Sequence, residues 1–168
     1  MVPVGTPRYP ERMSGLRLEE LSAATVVAAN NLTLKPGQEQ FVAPVSHSIA
    51  EAYVNPTTAW PRVVVDDDGT VVGFIMGNFD AEADDEALRS CIWRINVEAD
   101  AQGRGIGRFA VHALADEARS RGFDRVTVIY EPGDDGPEDF FHHIGFEVIG
   151  ETPYGEHVAG LTLASSQV

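Results

Sequence analysis

The stretch Gln102-Gly103-Arg104-Gly105-Ile106-Gly107-Arg108-Phe109-Ala110 sets three alternate glycines directly before a helical pattern. Over residues 105–121 the apolar residues Ile106, Phe109, Ala110, Ala113, Leu114 and Ala118 recur at helical spacing, and Gly122 follows Arg119 and Arg121 as a C-cap. Upstream, residues 89–97 read as a strand with Cys91, Trp93, Ile95 and Val97 on one face. A glycine turn between a strand and a helix start gathers unpaired backbone N–H groups at the positive end of the helix dipole. That is an anion site: a phosphate can approach the bare backbone, and Arg104 and Arg108 add charge from the rim. The same glycines also suit a plain tight turn.

Working outward, residues 126–130 (Val-Thr-Val-Ile-Tyr) form the next strand, residues 137–143 a short helix with Gly145 past its end, and two last strands lie near residues 146–150 and 157–163. On the other side, residues 62–65 and 70–76 are β-branched runs joined by Asp66-Asp67-Asp68-Gly69, whose Asp-Gly pair marks a hairpin. Earlier still come a short strand at 16–19, a helix capped by Ser22 running through Ala24, Val27 and Ala28 towards Asn31, and a second helix with Ser46 or Ser48 near its start, ending before Pro56. The expected order is strand, two helices, three strands, helix, strand, helix, two strands. Residues 1–15, rich in proline and glycine, read as a flexible tail, and residues 16–168 as a single domain.

Composition narrows the function. Hydrophobic residues make up 43% of the 168, enough for one core, and no apolar run nears the roughly 18 residues of a membrane span. Residues 1–12 lack a signal peptide's apolar centre, so a cytoplasmic setting is expected. A formal net charge of −14 with Lys35 as the single lysine argues against a nucleic-acid surface and favours approach of a cationic small molecule. Cys91 is the lone cysteine, and His142-His143 lacks the i, i+4 spacing of a two-histidine site, so no metal is expected.

The ligand class follows from context. Residues 105–110 fit a dinucleotide fingerprint, but Glu98-Ala99-Asp100-Ala101-Gln102 intervenes between strand and turn, where a dinucleotide fold joins them directly. The absence of Gly-Lys-Ser/Thr removes the nucleotide P-loop.

Residues 102–107 resemble the Gln/Arg-x-x-Gly-x-Gly/Ala motif of the GNAT acetyltransferases, and Phe140-Phe141-His142-His143-Ile144-Gly145-Phe146 resembles that family's second landmark, a short helix ending in Leu/Ile-Gly-Phe. Residues 41–44, 48–53, 72–74, Trp93-Arg94 and 150–156 are similar to a branch that includes bacterial spermine/spermidine acetyltransferases. The resemblance implies a mixed α/β fold: a mostly antiparallel sheet of six to seven strands with one splayed parallel pair, flanked by about four helices. It implies acetyl-CoA as co-substrate, held by Ile95, Asn96, Val97, residues 102–108 and Phe141, and transfer by direct attack of a small, polyamine-like primary amine. The backbone N–H of Val97 would steady the oxyanion. Glu51, Tyr53 and Glu156 would hold the acceptor. A homodimer through edge strands is implied by the resemblance alone.

The family's usual general acid is a tyrosine, and Phe141 stands at that place; phenylalanine donates no proton. Tyr130, at the end of its strand, is the nearest alternative phenol, although its alternation with Val126 and Val128 equally suits a packed core residue. His142, adjacent to Phe141, is a further catalytic candidate if aimed at the cleft, but successive helical residues point about 100° apart and an exposed helix histidine is the commoner outcome. Phe141 therefore keeps open a second class of function, an acyl-CoA-binding sensor with weak or no turnover.

Overall fold

The computed structural model describes residues 15–164, so the expected tail lies outside the described residues except for Gly15. The chain forms β1 (Arg17–Glu20), α1 (Val26–Asn30), α2 (Val45–Val54), β2 (Ala59–Val65), β3 (Val71–Phe79), β4 (Ser90–Val97), α3 (Ile106–Ser120), β5 (Arg125–Tyr130), α4 (Glu138–Ile144), β6 (Glu147–Glu151) and β7 (His157–Thr162). This is the expected order. Among the described residues seven strands make one sheet, β1-β2-β3-β4-β5-β7-β6, antiparallel throughout except for the parallel pair β4–β5.

Helices cover both faces. In β2 and β3 the side chains alternate with period two, so Val64 and Ile75 pack beneath Ile106, Val111 and Leu114 of α3, while Val63, Val65, Phe74 and Met76 pack with Ala29 and Val45 on the α1–α2 side. Burial on both faces explains why these strands read as continuous apolar runs. The hairpin turn is held by the Asp66 carboxylate, which accepts from the N–H groups of Asp68 and Thr70 at 3.0 and 2.9 Å. Among the described residues no helix is long and apolar enough to cross a membrane.

Two local expectations need correction. Helix α1 starts at Val26, four residues beyond Ser22: the Ser22 hydroxyl accepts from Ala24 N–H within a preceding turn and does not cap the helix. The clean alternation expected along β4 also fails. Arg94 pairs with Met76 and Ile92 with Gly77, so Trp93 is an extra residue forming a β-bulge. Ile92, Ile95 and Val97 pack towards α3, and Trp93 turns to the opposite cluster with Phe74 and Met76.

The bulge sits where the sheet opens. Pairing between β4 and β5 is confined to Cys91↔Thr127 and Ile92↔Val128, although both strands continue beyond it. A bulge bends its strand and increases its twist. Past Ile92 the two parallel strands diverge.

Candidate active site

The gap between β4 and β5 opens into a cleft of about 1050 Å³. The phase of the β3–β4 ladder decides which backbone groups face it. Glu98 N–H donates to Val72 C=O at 3.0 Å, and Val97, Asn96 and Ile95 lie opposite Gly73, Phe74 and Ile75. In an antiparallel ladder, hydrogen-bonded and non-hydrogen-bonded pairs alternate, so Asn96 directs its backbone groups to β3 while Ile95 and Val97 direct theirs to the gap. The Val97 carbonyl accepts from the Gln102 side-chain amide at 3.0 Å, which leaves the Val97 N–H facing the cleft.

At the far end of β4 the turn brings α3 to the same cleft. Gly103 and Gly105 have φ of +82° and +85°, the left-handed region that glycine occupies at low cost. Gly105 occupies the N-cap position and supplies no side-chain cap; the first intrahelical bond of this turn runs from Phe109 N–H to Gly105 C=O. The N–H groups of Ile106, Gly107 and Arg108 therefore remain for a ligand. Gly107 has a different reason to be glycine: a Cβ there would lie 2.9 Å from two ring atoms of Phe140, so its bareness lets α4 pack against α3.

The aromatic wall comes from β5 and α4. Tyr130 stacks on Phe141 with ring centroids 5.7 Å apart and 14° between planes, and Phe141 meets Phe140 and Phe146 edge-on. The Tyr130 hydroxyl is buried and has no hydrogen-bond partner among the described residues. Burial pushes this phenol above its ordinary value, and the Glu138 carboxylate adds to the effect. A protonated phenol on the cleft wall is suited to donating a proton.

The structure sorts the remaining candidates. Ile95, Val97, Gln102, Gly103, Gly105, Ile106, Gly107, Arg108, Tyr130, Phe141 and Glu156 all line the cleft. Arg104 is exposed and does not line it. The Asn96 side chain is buried on the other face, donating to Ala43 C=O at 3.3 Å. His142 points out of the cleft and pairs with Glu138 at 3.5 Å; its neighbour His143, one helical step round, lines the cleft with Phe140 and Ile144. Glu51 is drawn off by Arg94 at 3.3 Å and His47 at 3.0 Å, and Tyr53 is 84% exposed; neither lines the cleft. Successive strand residues point to opposite faces, yet the bulge lets Trp93 and Arg94 both line the cleft. Sequence reasoning missed Gln38, Glu39, Glu131, Asp135 and His143, which line the cleft from loops and from α4. Their only signal was proximity to the quoted motifs.

Comparison with known proteins agrees with this geometry. Residues 34–146 match the acetyltransferase (GNAT) family. The chain belongs to that family. Mycothiol acetyltransferases of Rhodococcus jostii and Beutenbergia cavernae are 28% and 31% identical to it over 98 and 107 residues, or 58% and 64% of the chain. The chain spans 32% of the length of each of these relatives. The ribosomal-protein-S18-alanine N-acetyltransferase of Escherichia coli shares the fold, with a TM-score of 0.64 at 17% identity over 90% of this chain and 96% of that one.

Proposed function

We propose that the chain is an acetyl-CoA-dependent N-acetyltransferase acting on a primary amine of a small, cationic, polyamine-like acceptor. The observation that carries this reading is the convergence of the open α3 N-terminus, the free Val97 N–H and the Tyr130 phenol on one cleft. The open N–H groups and Arg108 hold the pyrophosphate, where both dipole and charge favour an anion. The splayed edge of Ile95 and Val97 takes the pantetheine arm as an added strand would be taken. Glu39, Glu131, Asp135 and Glu156 also line the cleft, which supports a cationic acceptor.

The co-substrate supplies the acetyl group: the amine nitrogen bonds to the thioester carbon, the carbon–sulfur bond breaks, and the amine's proton leaves. Val97 N–H faces the gap where the carbonyl oxygen gains charge. Tyr130 gives its proton to the departing thiolate. A free alkylamine near pKa ~10.4 is mostly protonated at neutral pH, so a cleft carboxylate such as Glu156 must first draw off its proton, directly or through water.

Isothermal titration with acetyl-CoA, repeated on Gly105→Glu, tests the cradle, and thiol release with spermidine tests the acceptor. Binding that the variant loses, followed by amine-dependent release, is the expected result. One observation favours a second reading: Phe141 occupies the family's tyrosine place, so binding of acetyl-CoA without amine-dependent release would identify a sensor module. A homodimer is proposed through β6, an edge strand exposed along its length with Val148 and Ile149 at 42% and 50% exposure. A single 18.2 kDa species by light scattering would sink that pairing.

A further inference from the structure

The segment that leads into α2 is tied to the connector that leads into the phosphate turn. Thr33 N–H and hydroxyl both donate to the Glu98 carboxylate, and Ala99 N–H donates to Thr33 C=O at 2.9 Å. Gln38 and Gln102 then exchange side-chain hydrogen bonds in both directions, at 2.9 and 2.8 Å, across 64 residues of sequence. The Gln38 oxygen also accepts from Lys35 N–H at 3.0 Å, and the second Gln102 N–H goes to Val97 C=O. Gln102 is the residue immediately before Gly103. Gln38 opens the run 38–44, every member of which lines the cleft.

This closed pair of amides has a specific consequence. It is the side-chain link that joins the turn of residues 102–108 directly to the wall of residues 38–44, and it does so while holding the Val97 carbonyl that borders the splayed edge. We infer that Gln38 is a positioning residue through which occupancy of the phosphate turn sets the placement of the wall of residues 38–44. The inference rests on the function proposed above. A ligand that fixes the turn fixes Gln102, Gln102 fixes Gln38, and residues 38–44 lose freedom. By linkage, whatever orders that wall strengthens binding at the turn by the same factor. Phe41 adds a contact in the same sense, since its ring lies 3.2 Å from where a Gly136 Cβ would stand, so the ordered wall reaches the β5–α4 loop across the cleft mouth.

The test is amide hydrogen exchange over residues 38–43 of the whole protein, with and without coenzyme A, together with titration of coenzyme A. In the parent protein coenzyme A should slow exchange across this segment. Gln38→Leu, one heavy atom shorter, removes both polar atoms; it should still bind coenzyme A, about five-fold more weakly, with the ligand-dependent slowing lost. Gln38→Glu retains the oxygen that accepts from Gln102 and Lys35, and should fall between the two. Equal slowing in the parent and in Gln38→Leu overturns the inference, as does binding to the parent with no change in exchange. Failure of the parent to bind coenzyme A at all overturns the proposed function itself, and this inference with it.

Discussion

Replacing Tyr130 by phenylalanine should move stability and activity in opposite directions. The hydroxyl is buried and unpartnered, and leaving such a group unsatisfied costs about 1–3 kcal/mol. Removal should stabilise the protein by about 1 kcal/mol, the low end of that range, or about 2–4 °C in Tm for a domain of this size. Turnover should fall, because a positioned general acid contributes about 10²–10⁴-fold. The pH dependence has a defined sign. The folded protein holds the phenol proton more tightly than the unfolded chain, whose value is near 10, so the stability this contributes is complete below pH 10 and is lost as pH rises above it. The parent's turnover should decline over that same alkaline range, and the Tyr130→Phe enzyme should lack this limb. Calorimetry and thiol-release kinetics on the two proteins provide both readouts. Turnover within two-fold of the parent would refute the acid role, and a Tm lowered by more than about 2 °C would show that the hydroxyl has a partner after all.

Three further outcomes are expected. In the Tyr130→Phe background, Phe141→Tyr should restore at least about a tenth of the lost turnover, since the stacked rings lie 5.7 Å apart on the same wall; kcat measured at saturating acetyl-CoA decides it. Gly107→Ala should gain up to about 1 kcal/mol in helix propensity but force Phe140 aside, for a net loss of about 1–2 kcal/mol in chemical denaturation, and adding Phe140→Leu should recover it. The Cys91 thiol, pushed up to about 12 by burial, should resist a disulfide reagent at pH 8 in the folded protein and react at once in denaturant. Rapid labelling of the folded protein would mean that β4 opens far more readily than its burial implies.

What could be read from the sequence were features whose causes are local. The Asp66–Gly69 turn, the apolar stripe of α3 and the glycine turn each depend on residues within a few positions of one another, and all three lie where the pattern put them. The misreadings share a different origin. Trp93 leaves its expected face because β3 and β4 differ by one residue in register, which neither strand's sequence reveals alone. Glu51 looked available for a cation, yet Arg94, 43 residues away, competes for it together with His47. His142 and His143 were separable only by knowing which stripe of α4 meets α3, and the contact that fixes it is between Phe140 and Gly107. The Gln38–Gln102 pair likewise has no signature short of the fold.

The parallel junction of the sheet has a mechanical consequence. Four strands on one side and three on the other are joined by only two facing residue pairs, so the sheet behaves as two plates meeting at a short seam. Helix α3 braces the plates, packing on β3 and β4 from one and on β5 from the other, while the Thr127 hydroxyl of β5 donates to Ala87 C=O at the seam. The width of the slot between them thus depends on the bulk of side chains such as Leu114 and Val111, which pack in the core and do not line the cleft. Core volume in this helix is a calibration of the slot as well as a source of stability.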